Sequence, residues 1–193
     1  IIDRTTGRDV TYSRALIAAL ILARRFRQVE RGRIGIMLPT SAGGALAILG
    51  AIFAGQTPVM INYSTGAEKN CLYAQQKCDF RKIITARALL EKTGCAELPD
   101  MVFIEDILEN LSRPEQLLAL IKSKMPTSWL KRISGSHDLN KPAVVLFTSG
   151  SEKEPKVVQL TQKNLLSNID SFSGSIFNAF LYALTAASNS SIS

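Results

Sequence analysis

Short apolar runs alternate with stretches of helical period along most of this chain, and that alternation most constrains its fold. Ile34–Leu38 is ended by Pro39, and Pro58–Ile61, Arg81–Thr85, Met101–Ile104, Pro142–Phe147 and Lys156–Leu160 are further runs of strand length. Between them, apolar residues recur every three or four positions. Ala15, Leu16, Ala19, Leu20, Leu22, Ala23 and Phe26 mark one helix, which Thr11 or Ser13 can cap. Ala42–Ala54, Gly66–Lys77, Ala86–Lys92 and Ile107–Met125 mark others, the last divisible at Pro114, and Leu72 and Ala74 are expected to face the core. A final helix follows Thr161 through Ile169. Strands that are apolar throughout need cover on both faces. The expectation is an α/β domain with a mainly parallel sheet and helices on both faces. Ile1–Asp3 and Val10–Tyr12, flanking Thr6–Asp9, read as a short hairpin.

Composition narrows the class of protein. Of 193 residues, 46 % are hydrophobic, too many for a disordered chain. The net charge of +7 admits an anionic partner. Its basic residues are scattered, as in Arg24, Arg25, Arg27 and Arg31, Arg33, with no arm suited to nucleic acid. The three cysteines, Cys71, Cys78 and Cys95, show neither a disulfide framework nor a metal spacing and suit a reducing compartment. His137 is the only histidine, so a His-rich metal site is excluded, and no metal ligands are assigned. The N-terminus lacks the pattern of a signal peptide. The longest apolar stretch, Ala42–Gly55, is shorter than the ~20 residues of a spanning helix. Its glycines, Gly43, Gly44, Gly50 and Gly55, are expected to let a helix lie close on a sheet.

The segment Phe147-Thr148-Ser149-Gly150-Ser151-Glu152-Lys153-Glu154-Pro155-Lys156 leaves the fifth apolar run. Ligands collect beyond the carboxyl ends of strands in open α/β sheets. Three hydroxyls, successive backbone N–H groups, a glycine and two lysines could cradle phosphate oxygens. The same composition also describes a solvated turn. Neither the G-x-x-x-x-G-K-[ST] nor the G-x-G-x-x-G pattern is present.

The order Phe147-Thr148-Ser149-Gly150-Ser151, three charged positions, then Pro155-Lys156 resembles the phosphate-binding signature of adenylate-forming (AMP-binding) enzymes. These include the acyl-CoA and acyl-acyl-carrier-protein synthetases. The resemblance extends over residues 1–170. It takes in Thr11-Tyr12 with the helix after it, Arg33–Pro39, Ala45–Gly55, Pro58-Val59, Ile61-Asn62-Tyr63 and Lys82–Thr85. The Ser151-Glu152 pair looks most like the synthetase half of the bifunctional acyl-acyl-carrier-protein synthetase/2-acylglycerophosphoethanolamine acyltransferases. Lys153 and Val157 stand where the family usually has glycines.

The resemblance implies ATP- and Mg²⁺-dependent activation of a fatty acid to an acyl-adenylate, then transfer to the thiol of acyl carrier protein or CoA. Thr148, Ser149, Gly150, Ser151 and Lys156 would bind the phosphates of ATP. A cytoplasmic protein, or one at the cytoplasmic face of the inner membrane, would follow. The family's adenine, ribose and catalytic-lysine motifs cannot be found after Ser171. Residues 1–171 are therefore expected to be a partial adenylation domain, inactive alone, with no catalytic residue of its own. Residues 172–193 carry no charge and are expected to be a separate tail. Its apolar stripe Ile176, Phe177, Phe180, Leu181 and Leu184 would cover an open face or pair with a second copy. Two rival readings remain: a non-catalytic scaffold, and a basic module for membrane surfaces or acidic partners built on the arginine-rich helix 14–27.

Overall fold

The computed structural model describes residues 2–3, 7–126, 138–148, 155–168 and 170–171. A two-stranded hairpin, β1 (Ile2–Asp3) and β2 (Arg8–Asp9), opens the chain. Its second strand lies earlier than the apolar Val10–Tyr12 run, because Thr11 is taken as the N-cap of the next helix. The Thr11 side chain accepts the Arg14 N–H at 3.4 Å and starts α1 (Tyr12–Val29).

The chain then alternates as expected: β3 (Arg33–Ile36), α2 (Ala42–Phe53), β4 (Thr57–Met60), α3 (Ala67–Cys78), β5 (Ile83–Thr85), α4 (Arg87–Thr93) and β6 (Met101–Phe103). The stretch 107–125, divisible at Pro114, holds two helices, α5 (Ile104–Glu109) and α6 (Arg113–Ser123). They divide where Ser112 and Glu115 form a capping box just ahead of and behind Pro114. The hairpin β7 (Pro142–Thr148) and β8 (Lys156–Thr161) follows, and residues 162–168 are helical. The Thr161 hydroxyl accepts the Asn164 N–H at 3.2 Å, the expected cap.

Six strands form one sheet in the order β6-β5-β3-β4-β7-β8. The first five run parallel, and β8 is antiparallel to β7. Alternate residues serve opposite faces. Met37, Val59, Ile83 and Val145 join Cys71 and Ala74 of α3 and Leu89 and Leu90 of α4 in one core. Ile34, Ile36 and Ile84 join Leu22 and Phe26 of α1, Ala47 and Ala51 of α2 and Ile107 of α5 in the other. Helices on both faces thus cover strands that are apolar throughout.

Two details correct the reading from sequence, and a third adds to it. Leu72 points away from the core and is 53 % exposed. The buried line of α3 is instead Ala67, Cys71, Ala74 and Cys78, small residues at helical spacing that bring the helix close to the sheet. Gly50 does not face the sheet: a Cβ there would lie 2.7 Å from Leu22 Cβ, so its role is to seat α2 against α1. Ala47 and Ala51 make the close approach to the sheet. The arginine-rich end of α1 is engaged within the fold. Arg25 donates to the Glu115 carboxylate at 2.7 Å and to the Asn110 carbonyl at 2.6 Å, holding α6 on α1. Arg27 donates to the Ala54 carbonyl at 3.3 Å and to that of Phe53, supplying cationic partners to the end of α2.

Candidate functional site

The candidate site is built from the carboxyl ends of the adjacent parallel strands β4 and β7. Thr148 is the last residue of β7 and stands directly opposite Lys156, the first of β8. Directly opposed residues in an antiparallel pair project from the same face. Both are exposed, so a hydroxyl and an ammonium open together on solvent at the mouth of the hairpin. Ser149, Gly150, Ser151 and Lys153 lie outside the described residues, as do His137 and the tail 172–193. Val157 pairs with Phe147 as an ordinary strand residue. A β-branched side chain suits that backbone.

The loop after β4 forms the neighbouring wall. Asn62 Oδ1 accepts hydrogen bonds from the Ser64 N–H at 2.9 Å and the Ser64 hydroxyl at 2.6 Å. Asn70 of α3 donates to the carbonyls of Asn62 at 2.9 Å and Thr65 at 2.8 Å, fastening this loop to the helix. Between that wall and the hairpin is a hollow of about 150 Å³, lined by Ile61, Asn62, Thr65, Asn70, Tyr73, Phe147, Thr148 and Pro155. A larger, open hollow of about 620 Å³ lies along α3 and is also lined by Thr93, Gly94 and Cys95.

Tyr73 crosses the smaller hollow. Its hydroxyl donates to the Pro155 carbonyl at 2.9 Å, and its ring meets Phe147 edge-on with centroids 5.9 Å apart. Nothing in the loop motif points to Tyr73, more than seventy positions upstream. The available signal was its place one turn after Asn70 on α3, on the side that meets the Ile61-Asn62-Tyr63 turn. Behind it, burial pushes the Cys71 thiol up to about 12, with Cys95 and Glu68 adding to the effect. Desolvation also raises Cys78 and Cys95, so none of the three thiols has the depressed pKa of a nucleophile.

Chemically, the hairpin mouth offers what a polyphosphate needs, a hydroxyl donor beside a cation on an accessible rim. The model of the AMP-binding enzyme family matches residues 1–187. The chain belongs to that family. A relative, the long-chain-fatty-acid–CoA ligase ACSBG2 of Xenopus laevis, is 30 % identical over 142 residues, which are 68 % of this chain and 19 % of the relative. Among solved structures, the fatty acyl-adenylate ligase of L. pneumophila, in complex with acyl adenylate and pyrophosphate, superposes with a TM-score of 0.63 at 18 % identity. That match covers 87 % of this chain and 28 % of the ligase. The o-succinylbenzoate coenzyme A synthetase of Bacillus subtilis, in complex with ATP and magnesium ion, also gives 0.63, at 13 % identity over 88 % of this chain and 42 % of that one. The shared fold is that of the N-terminal subdomain of AMP-binding ligases. The chain thus spans less than half the length of these relatives.

Proposed function

We propose that this chain supplies the triphosphate-binding part of an ATP-dependent acyl-activating ligase. The observation that carries this reading is the placement of Thr148 opposite Lys156 at the carboxyl ends of the parallel strands. Thr148, Ser149, Gly150 and Ser151 would donate to the β- and γ-phosphates, and Lys156 would balance their charge. ATP supplies the electrophilic phosphorus that a fatty-acid carboxylate attacks, with release of pyrophosphate. A carboxylate nucleophile needs no general base, so the chain's contribution is positioning and electrostatic stabilisation. Among the described residues no group of three or more His, Cys, Asp or Glu could hold a metal ion, and the hairpin mouth offers donors and a cation. Mg²⁺, which favours phosphate oxygens and water, would be carried by the nucleotide. The acyl group would pass to the thiol of CoA, as in the ligase relative's name, or of acyl carrier protein.

Family membership and the likeness to a fatty-acid–CoA ligase support the acyl-activating class. Positioning of reactants supplies roughly 7–11 kcal/mol of such barriers. The 193 residues alone are therefore expected to bind ATP weakly and to catalyse no adenylate formation. Isothermal titration with ATP, followed by a fatty-acid-dependent pyrophosphate exchange assay, tests both statements. Binding that disappears in Lys156→Ala supports the reading. Absence of any ATP binding removes it, and robust exchange by these residues alone removes the division of labour.

A further inference from the structure

We propose that Tyr73 is a positioning residue for the phosphate-binding hairpin, tethering the exit of its loop to the rigid core. This rests on the reading of the hairpin as a polyphosphate site. Pro155 has no backbone N–H, so its carbonyl is its sole main-chain hydrogen-bonding group. Tyr73 takes that carbonyl at 2.9 Å. The hollow of about 150 Å³ beneath Thr148 and Pro155 shows that side-chain packing does not fill the base of the hairpin. The Tyr73 hydroxyl bridges that gap.

The other end of the tether is fixed. Tyr73 lies on α3 between Cys71 and Ala74, both fully buried against the sheet. Phe147 contacts one part of its ring edge-on, and the Lys77 ammonium lies 5.5 Å from its centroid. A ring so held has little freedom left to lose when its hydroxyl engages the loop. Pro155 immediately precedes Lys156, so the bond sets where the cation's backbone begins. Loosening it lets Lys156 and Thr148 drift from the spacing a polyphosphate needs, and a catalytic constellation misplaced by about 1 Å loses much of its effect.

The test uses the 193-residue chain with inorganic tripolyphosphate as the probe, comparing wild type with Tyr73→Phe, which keeps the ring and removes only the hydroxyl. Tyr73→Phe should bind about fivefold more weakly, the scale of one neutral hydrogen bond. Its melting temperature should be unchanged, and amide exchange at Lys156 and Val157 should be faster. Equal affinity in the two proteins overturns the role of Tyr73 while leaving the site intact. Failure of the wild type to bind tripolyphosphate overturns the site and the role together. Weakened binding that parallels a fall in melting temperature also overturns it, because general loosening would then explain both. Tyr73→Leu, which removes ring and hydroxyl, calibrates how far melting falls when the packing itself is lost.

Discussion

The parallel centre of the sheet and the β7–β8 hairpin at its edge are built on opposite principles. In β3 and β5, Ile34, Ile36, Ile83 and Ile84 are all fully buried, and helices press on both faces. In β8, Val157 is 36 % exposed, Lys156 and Gln159 are exposed, and no described strand pairs with its outer edge. The centre spends its residues on cohesion. Within the hairpin, β7 still buries Ala143, Val144 and Val145, whereas β8 and the mouth are given to access, and what holds the mouth is a paired register, an aromatic contact and one tyrosine hydroxyl. Substitutions in the centre should therefore register as stability, and those at the hairpin mouth as ligand affinity or rate.

The largest effect should come from Phe26→Ala. Phe26 is fully buried where α1 meets α2 and the sheet, and it packs beside Gly50. Removing such a ring costs about 3–5 kcal/mol through lost transfer energy and a residual cavity. Urea denaturation should show that loss, and a loss under about 1 kcal/mol would mean that α1 is not integral to the core.

Lys156→Ala should do the reverse. The side chain is exposed, so stability should move by less than about 0.5 kcal/mol. In a protein carrying the rest of the adenylation domain, the rate of acyl-adenylate formation should fall about 10²–10³-fold, the scale of one electrostatic contact in a transition state. Fatty-acid affinity should change far less. Wild-type pyrophosphate exchange by this variant would dissolve the contrast between the two regions.

Much of the centre was legible because its signals are redundant. Each apolar run has strand length, each helix has a period, and Pro39, Pro114 and Thr161 punctuate them. What was not legible depends on partners remote in sequence. The strand order, the antiparallel sense of β8 and the seating of Gly50 on Leu22 have no local signature. Leu72 misled because hydrophobicity favours Leu over Ala and Cys, whereas close approach of α3 to the sheet favours the smaller residues. At the hairpin the motif marked Thr148 and Lys156. It did not mark Tyr73, whose role exists only once α3 is packed beside β7.

Alkaline pH offers a smaller probe confined to the centre. Burial raises the Cys71 thiol from 9.0 to about 12 in the folded chain. A raised folded value means that the native state holds its proton more tightly than the unfolded chain. The associated stability is present below about pH 9 and is lost as pH rises from there towards 12. For this one thiol the loss by pH 10 is on the order of 1 kcal/mol. Denaturation curves at pH 8 and pH 10 should converge by about that amount in Cys71→Ala, set against the wild type. An unchanged slope would mean that Cys71 is hydrated.

The smallest effect, Val157→Gly, separates two explanations for a departure from the family pattern. On one, the valine obstructs the phosphate loop, and restoring glycine should tighten binding of tripolyphosphate. On the other, valine is simply a good residue for a strand, and glycine should weaken the hairpin. The structure favours the second. Val157 lies opposite Phe147 in a regular antiparallel register, and Asp79 is the only non-glycine with positive φ among the described residues. A left-handed backbone, the condition that would call for glycine, is thus absent at this position. Glycine here should cost roughly 0.5–1 kcal/mol through backbone entropy. That cost should fall on the hairpin rather than the centre, so exchange should quicken at Lys156 while amides of β3 and β5 keep their protection. Affinity for tripolyphosphate should hold or fall slightly. A tenfold gain would show that the valine side chain constrains the site, and the edge of the sheet would then be a compromise between strand and loop.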